Sequence, residues 1–265
     1  MDVMKRRLLS FTCEGLTLAA SLDEAAGSTG LLIVSGGNEI RIGAHRGMAK
    51  LGADIAAMGS SVFRFDRRGV GDSEGENTGF ENNEADIKAA LSAFRAACPH
   101  VKRVVAFGNC DAATALLLHQ PLAIDAFVLA NPWLFEASAE APAPATARAY
   151  YRERLKNPHA WLGLFKGAIN FGKLFGSLRT AIQKDALSPL STRVAEQMAR
   201  HPVETIILLA ERDGTATAFK AQWDSAVFDD HRVSVPITML DSASHSFASD
   251  TDYAALVSAI RSKLG

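Results

Sequence analysis

The order of apolar and amphipathic segments constrains the fold more than any other feature of this 265-residue sequence. Short apolar runs, of the kind buried on both faces of a parallel sheet, repeatedly precede residues with helical spacing. The predicted strands lie at 31–34, 61–65, 103–107, 124–130, 205–210 and 235–240, and the helical spacing at 45–58, 82–97, 112–119, 216–227 and 253–264. This alternation predicts an α/β fold with right-handed crossovers and a mostly parallel central sheet with helices on both faces. Before it, 8–12 and 16–22 predict an antiparallel hairpin.

One stretch interrupts the alternation. An Ala/Pro-rich segment at 137–147 is followed by helical, aromatic-rich sequence up to about residue 200. Because an insertion of this length is usually functional, we predict that residues 133–200 form a helical cap or lid. Residues 1–132 and 201–265 would then form one core. The alternative is extra helical packing against the edge of the sheet.

The apolar run 103–107 leads directly into Gly-Asn-Cys-Asp-Ala at 108–112. A strand, a sharp turn with a nucleophile at its tip and a following helix make a nucleophile elbow, here with cysteine in place of the usual serine. The strained turn requires small residues two positions to either side, and Gly108 and Ala112 meet that requirement. Cys110 is therefore the predicted nucleophile. The alternative is a buried structural cysteine at the end of a strand.

A thiol nucleophile needs a base to accept its proton and a third group to orient that base. Asp213 and His245 each follow a predicted strand, in the chain order nucleophile, acid, histidine that accompanies this elbow. We predict a Cys110–His245–Asp213 triad. Asp241 is closer to His245 in sequence, but it is expected to point from the strand itself and is the weaker candidate acid. Among the other histidines, His119 is expected to be solvated.

The oxyanion of a tetrahedral intermediate needs two backbone N–H donors. Asp111, directly after the nucleophile, is predicted to supply one, and its side chain is expected to cap the following helix. Ser-Gly-Gly-Asn at 35–38 follows the first buried strand, and its glycines allow the backbone to turn its amides inward. The second donor is assigned to Gly37 or Asn38. The alternative is an ordinary glycine turn.

A glycine-rich charged segment, Asp-Arg-Arg-Gly-Val-Gly-Asp-Ser-Glu-Gly, follows another predicted strand at 66–75. No Lys-Ser or Lys-Thr pair follows it, so it is not a phosphate-binding loop. We expect it to have a structural role and to rigidify the loop beneath the nucleophile.

Together these motifs resemble those of the α/β-hydrolase superfamily, and this resemblance covers most of the chain. More narrowly, the sequence is similar to the exosortase A system-associated hydrolase type 1 group, bacterial proteins encoded near exopolysaccharide-export and protein-sorting genes. The likeness rests on Gly36-Gly37-Asn38 with 41–46, on 66–73, on 108–112, and on 150–155 with Trp161. The resemblance implies an α/β-hydrolase fold and hydrolase chemistry but no substrate, because a fold does not determine function.

Composition indicates which binding partners and which cellular compartment to expect. A net charge of −1 argues against a nucleic-acid partner, which usually requires a basic excess. The three cysteines leave at least one unpaired and show no metal-ligand spacing, so we expect a reduced, cytoplasmic setting. We expect no metal and no organic cofactor. No apolar run is long enough to span a bilayer.

The predicted cap has an unusual charge. Between residues 148 and 184 basic residues far outnumber acidic ones, and aromatic residues lie among them. This pattern favours an anionic carrier or headgroup bound beside an apolar acyl tunnel, and we assign Arg152, Trp161 and Phe165 as substrate-binding residues. The alternative is a solvated basic helix face over an apolar underside. The pattern also leaves peripheral contact with a membrane surface open.

The sequence as a whole predicts a hydrolase that cleaves an ester or thioester, small or carrier-bound, through an acyl-thioester on Cys110. An acyltransferase using the same triad is a second hypothesis. A non-catalytic binding protein that kept the fold is a third. The oligomeric state is not predicted.

Overall fold

The computed structural model describes residues 6–135 and 187–265. Their strands form one eight-stranded sheet with the order β1-β2-β4-β3-β5-β6-β7-β8. The strands are β1 (Arg6–Cys13), β2 (Leu16–Asp23), β3 (Thr29–Val34), β4 (Ser61–Phe65), β5 (Arg103–Asn109), β6 (Ala126–Ala130), β7 (Glu204–Ala210) and β8 (Ile237–Leu240). Strands β1 and β2 pair antiparallel, as do β2 and β4, and the remaining neighbours pair parallel. The predicted mostly parallel sheet is confirmed.

The helices described alternate with the strands as the sequence predicts. They are α1 (Gly47–Ala57), α2 (Glu84–Ala97), α3 (Asp111–Leu118), α4 (Pro189–Arg200), α5 (Gly214–Trp223), α6 (Asp229–Ser234) and α7 (Asp250–Leu264). Ile55 of α1 and Ile260 of α7 belong to one buried cluster. Phe94 of α2, Leu116 of α3 and Val194 of α4 belong to another. Helices therefore cover both faces of the sheet, which is the predicted arrangement.

The chain enters the sheet through a hairpin. Its turn residues Glu14 and Gly15 both have positive φ, at 50° and 82°, as a two-residue turn between twisted antiparallel strands requires. In β1, the most peripheral strand on this side, exposed and partly buried residues alternate, whereas every residue of β4 is buried. This hairpin thus forms one border of the sheet.

Helix α4 falls within residues 133–200, the range that the sequence predicts to be the cap. Its residues Leu190, Val194 and Met198 recur at helical spacing and are buried in the same cluster as α2 and α3. The part of the predicted cap at 136–186 lies outside the described residues.

Candidate active site

The elbow at the end of β5 has the strained geometry that its sequence predicts. Cys110 has φ 60° and ψ −126°, outside the regions that non-glycine residues normally occupy. A Cβ atom on Gly108 would lie 2.8 Å from the backbone carbon of Ala112 and 2.8 Å from the backbone nitrogen of Ala113. The turn therefore requires glycine at position 108, and it presents the Cys110 side chain at its tip.

The three free cysteines differ in their surroundings. Cys13 and Cys98 are buried, whereas Cys110 is partly exposed. The Cys13 sulfur lies 3.4 Å from Asp86 Oδ1, and burial, reinforced by this carboxylate, raises the pKa of the Cys13 thiol. Burial also raises the pKa of the Cys98 thiol. Cys110 is thus the most accessible of the three thiols.

The three predicted triad residues meet at one edge of the sheet, because β5, β7 and β8 run in the same direction and each residue follows a strand end. His245 Nδ1 lies 3.1 Å from Asp213 Oδ1, and the Cys110 thiol is close enough to the imidazole to raise its pKa. Burial by itself lowers the pKa of His245. The hydrogen bonds with Asp213 and Cys110 outweigh burial and raise that pKa to about 10. This raised pKa favours a protonated imidazole, which lies between the Asp213 carboxylate and the Cys110 sulfur.

Asp213 has a second contact that explains its position. It is the N-cap of α5, and its Oδ1 accepts a hydrogen bond from Ala216 N at 3.1 Å. Asp241, the weaker candidate, is exposed and forms an ion pair with Arg212. The structure thus brings Asp213, and not Asp241, to the imidazole.

Two asparagines that the sequence analysis missed hold the His245 loop against the elbow. Asn109 Nδ2 donates a hydrogen bond to His245 O at 3.0 Å, and Asn131 Nδ2 donates to the same oxygen at 3.3 Å. Asn131 is fully buried, and its Oδ1 accepts from Ala210 N at 2.9 Å at the end of β7. The only sequence signal for Asn131 is a polar residue directly after a buried strand.

The predicted oxyanion donors differ in whether their N–H groups already have a hydrogen-bond partner. Gly37 N–H points to the Asp111 side chain, with its nitrogen 2.8 Å from Oδ1 and 2.9 Å from Oδ2. The backbone N–H groups of Asn38 and Asp111 donate to no residue within 6–135 and 187–265. The Asn38 side chain accepts a hydrogen bond from Asn77. The structure therefore places Asp111 N–H at the elbow. The expectation that the Asp111 side chain caps α3 is wrong, because its carboxylate accepts from Gly37 N of the loop after β3 instead.

The charged loop at 66–75 supports the oxyanion side of the site. The fully buried Asp66 accepts hydrogen bonds from Arg41 N at 2.5 Å and Asp72 N at 3.1 Å, which closes the loop on itself. Arg67 is also buried and donates to the carbonyl oxygen of Gly37. The loop thus fixes the orientation of the Gly37 peptide.

The expectation that His119 is solvated is wrong. Its side chain is buried, and Nε2 lies 2.8 Å from Phe80 O. Burial lowers its pKa and favours the neutral imidazole. The reason is tertiary: the turn containing Phe80 covers the C-terminal end of α3, which the local sequence at His119 does not show.

The predicted substrate-binding residues Arg152, Trp161 and Phe165 lie outside the described residues. Of the helices that the structure does describe, none is both long and apolar enough to cross a membrane. Within the same part of the chain, no three His, Cys, Asp or Glu side chains are grouped so that they could hold a metal ion.

Comparisons with known proteins show the family to which this chain belongs. The family model described as serine aminopeptidase, S33, matches residues 31–264. A comparison with curated proteins gives no match. Among solved structures, the esterase Pf2001 of Pyrococcus furiosus has a TM-score of 0.66 and 15% identity, covering 99% of this chain and 94% of that chain.

Two further solved structures share the fold at similarly low identity. The α/β-hydrolase GrgF from Penicillium sp. sh18 has a TM-score of 0.62 and 13% identity, covering 98% of this chain and 99% of that chain. A proline iminopeptidase-related protein from Thermus thermophilus has a TM-score of 0.58 and 17% identity, with coverages of 98% and 99%. At such identities these structures show the fold alone. With the family match over residues 31–264, the chain belongs to the serine aminopeptidase S33 family of α/β-hydrolases.

Proposed function

We propose that this protein is a cysteine-dependent acyl hydrolase that cleaves an ester or thioester through an acyl-thioester on Cys110. One observation carries the proposal: the imidazole of His245, whose Nδ1 lies 3.1 Å from Asp213 Oδ1, is close enough to the elbow thiol of Cys110 for that thiol to help raise its pKa. A nucleophile, a base and a group that orients the base are the parts that covalent acyl transfer requires. The side chain at the elbow is a thiol, although the family takes its name from serine.

The reaction follows from the positions of these groups. The Cys110 thiolate attacks the acyl carbon, and the new carbon–sulfur bond forms as the carbonyl electrons move to oxygen. His245 then donates its proton to the leaving oxygen or sulfur as the bond to the leaving group breaks. In the second half, His245 accepts a proton from water, and the resulting hydroxide attacks the thioester. The carbon–sulfur bond then breaks and the acid product leaves, which restores the Cys110 thiolate beside the protonated His245, while Asp213 keeps the ring oriented throughout.

An acyltransferase is the second candidate function. A thioester is readily attacked by amines and thiols as well as by water, so the same acyl-enzyme could pass its acyl group to another acceptor. Cleavage of an aminoacyl amide through the same acyl-enzyme is a further reaction under this proposal, because the family name implies cleavage of an amide. The partition of the acyl group among water, amine and thiol distinguishes hydrolysis from transfer.

The finer features of this proposal rest on sequence. The basic, aromatic-rich segment around Arg152, Trp161 and Phe165 supports an acyl substrate attached to an anionic group or carrier. The motif resemblance supports a role beside bacterial exopolysaccharide export, and the free cysteines support a reducing compartment such as the cytoplasm.

The test is mass spectrometry of the whole protein after brief reaction with a panel of substrates. The panel comprises activated esters, acyl-thioesters and an aminoacyl anilide, and each reaction is stopped with acid. We expect an adduct of the acyl mass on Cys110, located by peptide mapping. The adduct should decay in buffer and should decay faster when an amine or thiol acceptor is added if the enzyme is a transferase.

Two variants control this experiment. Cys110→Ala should form no adduct, whereas Cys13→Ala, which removes a buried thiol, should still form one. If no member of the panel acylates the wild-type protein, or if an adduct forms equally on Cys110→Ala, the covalent mechanism is wrong. A non-catalytic binding protein would give the first of these results.

A further inference from the structure

The Asp111 side chain occupies the place where an oxyanion donor is expected. Its two carboxylate oxygens lie 2.8 and 2.9 Å from Gly37 N, and the carboxylate also accepts from the N–H of Ala112. A Cβ on Gly36 would overlap Asp111 Oδ1, so the glycine at this position leaves room for the carboxylate. The carboxylate therefore sits in a fitted cradle of backbone N–H groups.

This position conflicts with the charge that develops during the reaction. The tetrahedral intermediate on Cys110 places a negative oxygen near Asp111 N–H, the donor that directly follows the nucleophile. A charged carboxylate from the same residue would repel that oxygen, because two like charges at this separation interact unfavourably. The carboxylate would also keep the Gly37 N–H as its own hydrogen-bond donor, so that this group could not donate to the oxyanion.

The groups that face Asp111 come from each of the surrounding loops described. Arg67, after β4, attracts the carboxylate, and His245, after β8, does so as well when protonated. Glu39, after β3, adds a like charge, and Cys110 adds another as a thiolate. No salt bridge joins Asp111 to Arg67 within 6–135 and 187–265. The hydrogen-bond partners that hold the carboxylate are thus backbone amides.

We propose that the Asp111 side chain gates the oxyanion hole, so that the neutral carboxylic acid is the form competent for acyl transfer. In the charged form the carboxylate holds Gly37 N–H and repels the oxyanion. In the neutral form, after a proton is taken from solvent, the repulsion is absent and the acid O–H donates to the oxyanion. This inference rests on the proposed acyl-thioester function.

The gate predicts a dependence on pH that the triad does not. Burial raises the pKa of Asp111 above its ordinary value, despite the opposing effects of Arg67 and the backbone N–H groups. The neutral form is therefore populated at higher pH than for an exposed aspartate, and it is lost as pH rises through that pKa. The pKa of His245, raised to about 10 by Asp213 and Cys110, makes the loss of the imidazolium a separate step near that pH. Acylation should therefore slow as pH rises through the pKa of Asp111, and this fall should not depend on the titration of His245.

Asp111→Asn is the discriminating variant. The amide has a similar shape, remains uncharged and can donate through its NH2 group. We expect the wild-type rate of Cys110 acylation to fall with rising pH and the variant rate to stay level. Above the pKa of Asp111 the variant should be faster by up to about 10²-fold, the scale associated with one oxyanion donor. At acidic pH the two proteins should agree closely.

Glu39→Gln is the matched control. Glu39 also interacts electrostatically with His245, but its carboxylate accepts a hydrogen bond from Ala44 N at 2.7 Å instead of Gly37 N. Glu39→Gln should therefore keep the falling wild-type profile, shifted at most slightly to lower pH because a like charge near Asp111 is removed. The gate is refuted if Asp111→Asn loses activity equally at every pH, or if both variants change the profile alike. Absence of Cys110 acylation in every protein would refute the proposed function instead.

A second measurement does not depend on activity. The amide resonance of Gly37 in 15N-labelled wild-type protein should shift with pH as the hydrogen-bonded carboxylate gains a proton. The same shift should be absent in Asp111→Asn and present in Glu39→Gln. A Gly37 resonance that does not titrate in the wild-type protein would overturn the gate, even if Asp111→Asn failed to fold.

Discussion

Asp213 has two roles that mutation can separate. Its Oδ1 accepts Ala216 N at 3.1 Å as the N-cap of α5, and the same atom lies 3.1 Å from His245 Nδ1. Asparagine caps helices about as well as aspartate, but it has no charge to hold an imidazolium. Asp213→Asn should therefore affect the chemistry, whereas Asp213→Ala should affect both chemistry and stability.

The size of each effect follows from these contacts. Replacing an N-cap by alanine costs about 1 kcal/mol. For a 265-residue chain with an unfolding entropy of about 2.1 cal/mol/K per residue, that cost lowers Tm by about 2 °C. In a serine triad, replacing the aspartate by asparagine lowers turnover by about 10⁴-fold, and we expect a loss of up to about this size here. Because the Asp213 hydrogen bond helps to raise the pKa of His245 to about 10, that pKa should fall in Asp213→Asn.

The assay combines thermal unfolding, the rate of Cys110 acylation and NMR titration of the His245 ring. Ser188→Ala is the control for the cap alone, because Ser188 Oγ caps α4 by accepting Leu190 N at 3.2 Å and is not a triad residue. It should lower Tm to a similar extent and leave the pKa of His245 unchanged. If Asp213→Asn keeps wild-type activity and the raised pKa of His245, then Asp213 is only a helix cap and the triad acid is misassigned.

The remaining predictions test accessibility, protonation, positioning and backbone strain. Iodoacetamide at neutral pH should alkylate Cys110 well before the two buried cysteines, as read by peptide mass spectrometry; equal labelling would contradict its assignment as nucleophile. Because the pKa of His245 is raised to about 10, the imidazolium is present at neutral pH and is lost above that pKa, so a kcat/KM profile should show an alkaline limb near 10, and no limb there would argue against the raised pKa. Asn131→Ala leaves Ala210 N–H without its partner and frees the loop that contains His245. We therefore expect kcat/KM to fall by about 10²-fold in steady-state assays, and an unchanged value would exclude a positioning role for Asn131. Gly108→Ala should destabilise the protein by about 1–3 kcal/mol in urea unfolding, and a neutral result would mean that the elbow relaxes at little cost.

Much of the fold could be predicted because its signals are local. Every residue of β6 is buried, and its continuous apolar character is visible within a five-residue window. In α2 the buried residues Ile87, Leu91 and Phe94 recur at helical spacing, so the helix is visible in a single stretch of sequence. The positions of Asp213 and His245 after strand ends could be predicted for the same reason, since parallel strands bring their carboxyl ends to one edge.

Contacts between distant segments could not be predicted in this way. Gly37 N meets a carboxylate 74 positions away, and Asn109 Nδ2 meets a carbonyl oxygen 136 positions away. Nothing in the sequence around Asp111 shows whether its side chain caps its own helix or reaches the loop after β3. Burial of His119 likewise depends on a turn contributed by another segment.

By itself, then, the sequence determined the strand and helix alternation, the strained glycine–cysteine elbow and the chain order of Cys110, Asp213 and His245. These features depend on residue periodicity and on steric demands within a few positions of the backbone. The tertiary structure decided which aspartate contacts the imidazole and which amide the Asp111 carboxylate occupies. It also decided which asparagines hold the histidine loop. Directional hydrogen bonds between side chains and distant backbone atoms depend on ångström-scale placement, and that placement arises only when the packed sheet brings the loops together.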